Sequence, residues 1–170
     1  MYYENWYEKL DMEKKAQADS LIDKVHRITP NSEKIKALGI AYLEIERNSP
    51  ALSEYRFIQY LKKSLADYDK NPSDRARSLE KNGYPLIKEI IHKVNNAGIS
   101  AGELMTLLKV FHYEGIMDTF YRFEHTYMDD LDDSEFPSFV ISEVGTDGEL
   151  TGRMVNVYGW LSELNPSNIS

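Results

Sequence analysis

Residues 85–111 read PLIKEIIHKVNNAGISAGELMTLLKVF. Pro85 suits a helix start, because it lacks the amide that a first turn leaves unbonded. Leu86, Ile87, Ile90, Ile91 and Val94 then recur on one helical face. Gly98 fits the left-handed residue that closes such a helix, with Ile99 as the apolar residue just past it. Ser100 and Glu103 form a capping box, each side chain able to satisfy an amide at the other's end of the turn. Leu104, Leu107, Leu108, Phe111, Met117, Phe120 and Tyr121 follow, so a second helix is predicted to about Tyr127, long and aromatic enough to be central to the core. Gly115, which costs about 1 kcal/mol against alanine in a helix, marks a kink or a close helix crossing. Leu86 to Phe111 also has the outline of a helix-turn-helix. Its would-be recognition helix offers Lys109 as the only full positive charge from Ser100 to His112, so an ordinary helical hairpin is the stronger reading.

Toward the N-terminus the same periodicity continues. Tyr3 to Ile28, with Trp6, Leu10, Leu21, Ile22, Val25 and Ile28, reads as one long helix or two short ones, stopped by Pro30. Asn31 or Ser32 is placed to cap a helix carrying Ile35, Leu38, Tyr42 and Ile45, ending near Asn48. Ser49-Pro50 is the expected start of a third, with Tyr55, Ile58, Leu61, Leu65 and Tyr68, ending before Asn71-Pro72. Residues 71–84 are polar, with Pro72 and Gly83, and are expected to form a connection holding a short turn around Arg75 to Lys81.

Toward the C-terminus the period changes. Phe139, Ile141 and Glu143 alternate with Val140, Ser142 and Val144; Gly145-Thr146-Asp147-Gly148 is a turn cluster, and Leu150, Arg153, Met154, Val155 and Val157 follow. A β-hairpin is predicted, whose apolar face must pack on the helices or pair with another chain. Gly159 to Leu164 is a last helical turn before Pro166. The expected fold is α+β, predominantly α, with about five helices packed as a bundle and a C-terminal β-hairpin. It is divided as one domain over 1–170: a helical core over 1–128, an acidic linker over 129–136, the hairpin over 137–158 and a tail over 159–170.

At 170 residues the chain is one domain in size, and 42% hydrophobic residues suffice for a core. The absence of cysteine excludes disulfides, thiolate metal sites and thiol nucleophiles. With acid where a signal peptide carries positive charge, and no run of about 18 apolar residues, a cytoplasmic location and no membrane partner are expected. The net charge of -8 is uneven: residues 1–85 carry 15 Lys/Arg and 14 Asp/Glu (+1), whereas residues 86–170 carry 5 and 14 (-9). From Glu114 to Glu149, 11 acids face Arg122 alone. Such a field attracts basic proteins or cations and repels nucleic acid.

Each candidate site competes with a plainer reading. His112, Asp118 and His125 are the best material for a metal-assisted hydrolase, but the first two stand six apart, outside any paired-helix or His-Glu-x-x-His spacing. Asp129-Asp130-Leu131-Asp132-Asp133-Ser134-Glu135 invites calcium. It fails the EF-hand register, since a loop begun at Asp130 puts Glu135 where glycine is needed and Ile141 where the bidentate acid is needed, so a solvated linker is the stronger reading. His26 and His92 sit beside basic residues and read as boundary residues. No nucleophile elbow or glycine-rich phosphate loop occurs. Of the twelve tyrosines, Tyr42, Tyr55, Tyr68 and Tyr121 fall on apolar faces and read as core, whereas Tyr113, Tyr127 and Tyr158 read as surface.

Asp147-Gly148-Glu149-Leu150-Thr151-Gly152, followed by Gly159-Trp160-Leu161-Ser162-Glu163-Leu164-Asn165-Pro166, resembles the tails of uncharacterised small acidic bacterial proteins, as does the acid-rich segment before it. Tyr158-Gly159-Trp160 departs from their Gly-Leu-His form. The resemblance implies no assigned activity and no functional residue. The expected function is noncatalytic: the acidic surface of Glu124, Tyr127, Asp129, Asp130, Asp132, Asp133, Glu135, Asp147 and Glu149 engages a basic protein, as an immunity-type inhibitor of a nuclease toxin would, without cofactor or metal. The alternatives are the hydrolase and a structural homo-oligomer, a homodimer buried through the hairpin edge or the Trp6 segment.

Overall fold

The computed structural model describes residues 2–83, 85–124 and 141–165, without the side chains of Arg122, Phe123, Glu124 and Tyr158. In chain order the described elements are α1 (Tyr2–Glu8), α2 (Met12–Ile28), α3 (Lys34–Arg47), α4 (Ala51–Ala66), α5 (Pro72–Asn82), α6 (Pro85–Asn96), α7 (Ala101–Glu124), β1 (Ser142–Val144), β2 (Leu150–Met154) and a 3-10 helix (Tyr158–Leu164). The α+β class, predominantly α, is as the periodicity predicts, but with seven α-helices among the described residues rather than five. Two differences account for the count. The opening segment is two helices, because Asp11 caps α2 by accepting from Lys14 N–H at 2.8 Å. Residues 72–82 form a complete helix rather than a connection, since Pro72 starts it and a narrow stripe of Ala76 and Leu79 is enough to pack it.

The chain divides into two compact units, Met1–Tyr60 with Tyr121–Trp160, and Leu61–Phe120 with Leu161–Ser170. In the first, Val25 of α2, Ala37 and Ile40 of α3, and Ala51 and Tyr55 of α4 form a buried core, with Ile22, Ile28, Leu43, Leu52 and Trp160 packed against it. The α1 helix adds an aromatic cluster: the rings of Tyr2, Tyr3 and Trp6 each lie 5.3–5.6 Å from Tyr42 of α3.

The caps at α3 and α4 differ from expectation. Glu33, not Asn31 or Ser32, precedes α3, and it makes no side-chain cap bond; the Ser32 amide is held in a turn by Thr29 O at 3.0 Å. Asn48, left-handed at φ 49°, ends α3. The start of α4 is capped by Glu44 of the preceding helix, which accepts from Leu52 N–H at 2.7 Å, rather than by Ser49. A carboxylate reaching across from α3 supplies the same acceptor and adds negative charge at the positive end of α4.

In the second unit Ala76, Ile91, Leu104 and Met105 are buried together, lined by Tyr68, Leu79, Ile87, Val94, Ala101 and Leu108. The turn between α6 and α7 follows the sequence closely. Gly98 takes φ 78°, its N–H donates to Asn95 O and that of Ile99 to Val94 O, the paired bonds of a Schellman end. Ser100 N–H donates to Glu103 Oε2 at 2.8 Å and Glu103 N–H to Ser100 Oγ at 3.2 Å, completing the capping box.

The faces of these helices agree with those predicted only in part: Ile87, Ile91, Val94, Leu104 and Leu108 pack in this core, and others do not. Leu86 and Ile90 are exposed while Ile91 is buried. On α7, Leu107, Phe111 and Tyr121 are exposed, and the buried residues are Leu104, Met105, Lys109, Ile116 and Phe120. Apolar residues surround α7 on all sides, so periodicity alone does not select one face. Lys109 is 5% exposed and its Nζ lies 2.6 Å from Asp69 Oδ2, which draws that side of the helix inward. A Cβ at Gly115 would meet nothing within 4 Å, so the glycine does not serve a close crossing.

Candidate functional site

The hairpin owes its geometry to one glycine. Ser142 pairs with Met154 and Val144 with Leu150, so Glu143 alone stands opposite Thr151, Gly152 and Arg153. Gly152 absorbs the two extra residues at φ 75°, a conformation that costs a side chain about 1–2 kcal/mol. The bulge brings Thr151 and Arg153 onto the same side as Glu143. Thr151 Oγ1 donates to Glu143 Oε2 at 3.1 Å and Arg153 Nε donates to the same oxygen at 2.7 Å. The turn closes with Gly145 N–H on Glu149 O at 2.8 Å and Glu149 N–H on Asp147 Oδ1 at 3.1 Å.

From this side the hairpin is fastened to α3 and α4. Arg153 donates from Nη1 to Glu44 Oε2 at 2.5 Å and to Ser49 O at 3.3 Å, and its Nη2 lies 2.5 Å from Glu143 Oε2. The Ser53 hydroxyl of α4 donates to the other oxygen of Glu143. The next residue of α4, Glu54, is 5% exposed and accepts from Asn156 N–H at 2.8 Å and from the Trp160 indole N–H at 3.0 Å. Burial pushes the Glu143 carboxyl up, but the hydrogen bonds from Ser53, Arg153 and Thr151 outweigh it and hold the group below its ordinary value. Burial likewise pulls Arg153 down, and its bonds to Glu44 and Glu143 more than reverse that. The arrangement is a polar latch. Its serine donates to a carboxylate rather than facing a base, and its carboxylates are largely covered, with 10% of each side chain of Glu44 and Glu143 exposed.

On the other side of the hairpin the apolar residues do not pack on the helices, the first of the two arrangements expected of them. Because side chains alternate along a strand, turning Glu143 and Arg153 toward the helices turns Val144, Leu150 and Met154 outward. These three are 56%, 71% and 67% exposed.

Of the residues expected to bind a partner, Asp147 and Glu149 stand exposed at the hairpin tip. Glu124 is the last described residue of α7, and Tyr127, Asp129, Asp130, Asp132, Asp133 and Glu135 lie outside the described residues. For the hydrolase alternative, His112 and Asp118 project from α7 about 120° apart around its axis, and His125 lies outside the described residues. His112 meets Tyr68 edge to face at 5.6 Å with its buried Nδ1 unbonded. Among the described residues no three histidines or acids are grouped to hold a metal. Tyr55 is core as expected, Tyr42 and Tyr68 are half-buried, and Tyr121 is exposed.

The latch was not anticipated from the sequence, although a signal existed. Arg153 is the only Lys or Arg after Arg122, and it shares its strand parity with Thr151 and Glu143's inward side. A lone cation in an acid-rich segment needs a specific partner. Compared with known proteins, no family model, curated protein or solved structure matches the chain.

Proposed function

We propose that this chain is a noncatalytic binding domain whose acidic C-terminal half engages a basic protein, in the manner of an immunity-type inhibitor of a nuclease toxin. The observation that supports it is the division of charge on the hairpin. Its one cation, Arg153, is turned inward and neutralised by Glu44 and Glu143, leaving Asp147 and Glu149 at the exposed tip. The tip is held by the latch, so these carboxylates are presented without a large ordering cost on binding. Charge of this kind mainly speeds encounter and selects the partner. Among the described residues no helix is long and apolar enough to cross a membrane.

The test is capture of host proteins on the immobilised chain at low salt with elution along a salt gradient, in parallel with a variant carrying Asp129, Asp130, Asp132 and Asp133→Asn. A basic protein retained by the parent chain and released at lower salt from the variant is the expected result. Equal retention by both chains at every salt concentration removes the reading.

A further inference from the structure

We infer that the outward face of the hairpin, Val144, Leu150 and Met154 bordered by Asp147 and Glu149, is a docking surface for a cationic amphipathic segment of a partner protein. The inference deepens the reading above and rests on it. An antiparallel hairpin on a protein surface ordinarily turns apolar residues inward and polar ones to water. Here the order is reversed, with Glu143 and Arg153 turned to the helices and three large apolar side chains more than half exposed outside. Relaxation by rotating the hairpin is opposed by the latch, since the flip would remove Arg153 from Glu44 and Glu143 from Ser53.

Charge selects the occupant. Asp147 and Glu149 stand exposed in the turn that joins Val144 to Leu150, at the end of the apolar face, and the hairpin's own guanidinium is on the opposite side. A second copy of the chain would set these acids against their own equivalents on a molecule of net charge -8, and an anionic lipid surface would be repelled in the same way. A protein segment alternating apolar side chains with Lys or Arg meets both features, the apolar side chains covering the triad and the cations reaching the carboxylates.

The experiment uses the full chain and two labelled synthetic peptides, one alternating Lys with Val and one alternating Lys with Ser, titrated by fluorescence anisotropy at low salt. Val144→Thr/Leu150→Thr/Met154→Thr keeps strand-compatible side chains and leaves the latch intact, and retained circular dichroism verifies its fold. The single variant Leu150→Lys repeats the test with a charge at the centre of the face. The expected result is that the triple variant loses about tenfold or more of the affinity for the Lys-Val peptide, equivalent to about 1.4 kcal/mol, with little change for the Lys-Ser peptide. Equal affinity of parent and triple variant for the Lys-Val peptide, or no binding of that peptide by the parent, overturns the inference. Neither result touches the broader reading, which stands or falls on the salt-dependent capture of a basic protein.

Discussion

Arg153 is the residue on which the C-terminal segment depends. Its guanidinium spans Glu44 and Glu143, two carboxylates that the fold has largely removed from water. Replacing it with methionine keeps much of its volume and strands both acids. Losing one partner of a buried pair costs about 3–5 kcal/mol, and since 22% of the arginine side chain is exposed the lower end, about 3 kcal/mol, is expected. Urea unfolding in a Trp6→Phe background, where Trp160 is the only indole, reads this directly. Arg153→Lys should recover only part of the loss, because an ammonium cannot present a planar fork to two acids. Full stability in the methionine variant would mean that the latch contributes nothing. The residue types of this latch stand in plain view in the sequence, but its pairing does not. Glu44 and Ser53 lie 109 and 90 positions from their partners Arg153 and Glu143, beyond the reach of any local pattern.

At the level of elements, the most legible feature is the turn from α6 to α7, because every signal for it lies within a few residues. Gly98, Ile99, Ser100 and Glu103 each take the role their chemistry suggests. Ser100→Ala should therefore cost about 1 kcal/mol, with Ser100→Ala/Glu103→Ala costing less than the sum of the single changes, since the two side chains bond to one another as well as to the backbone. Thermal unfolding of the four chains measures that coupling; strict additivity would mean that the box does not act as a unit. The start of α4 shows the opposite case. Ser49-Pro50 has the local form of a cap, yet Glu44 takes the Leu52 amide, because a stronger, charged acceptor is brought to it by the preceding helix. The α5 helix was illegible for a related reason. It is too polar for its periodicity to stand out, and only its neighbours α6 and α7 give Ala76 and Leu79 something to cover.

For the molecule as a whole, the same latch makes stability depend on acid. The Glu143 carboxyl is held below its ordinary value of 4.5 in the folded chain, so its contribution is fully present above pH 4.5 and is lost as pH falls through the lower folded value. The stability gap between the parent chain and Glu143→Gln is thus expected to stay constant from pH 7 to 5 and to narrow below about 4.5, followed by denaturant midpoints at each pH. A gap that widened on acidification would reverse the assigned direction. The sequence by itself determined the helical character, the hairpin with its turn, the closing 3-10 turn and the concentration of acid in the C-terminal half, because each is set by residues close together or by composition. Only the tertiary structure decided which side of α7 is buried, which carboxylate caps α4, and that the hairpin turns its polar side inward and its apolar side to water. Those choices are between faces that local propensity leaves nearly equivalent, and a few charged groups bear on them: Lys109, buried against the exposed carboxylate of Asp69, and Arg153, covered together with Glu44 and Glu143.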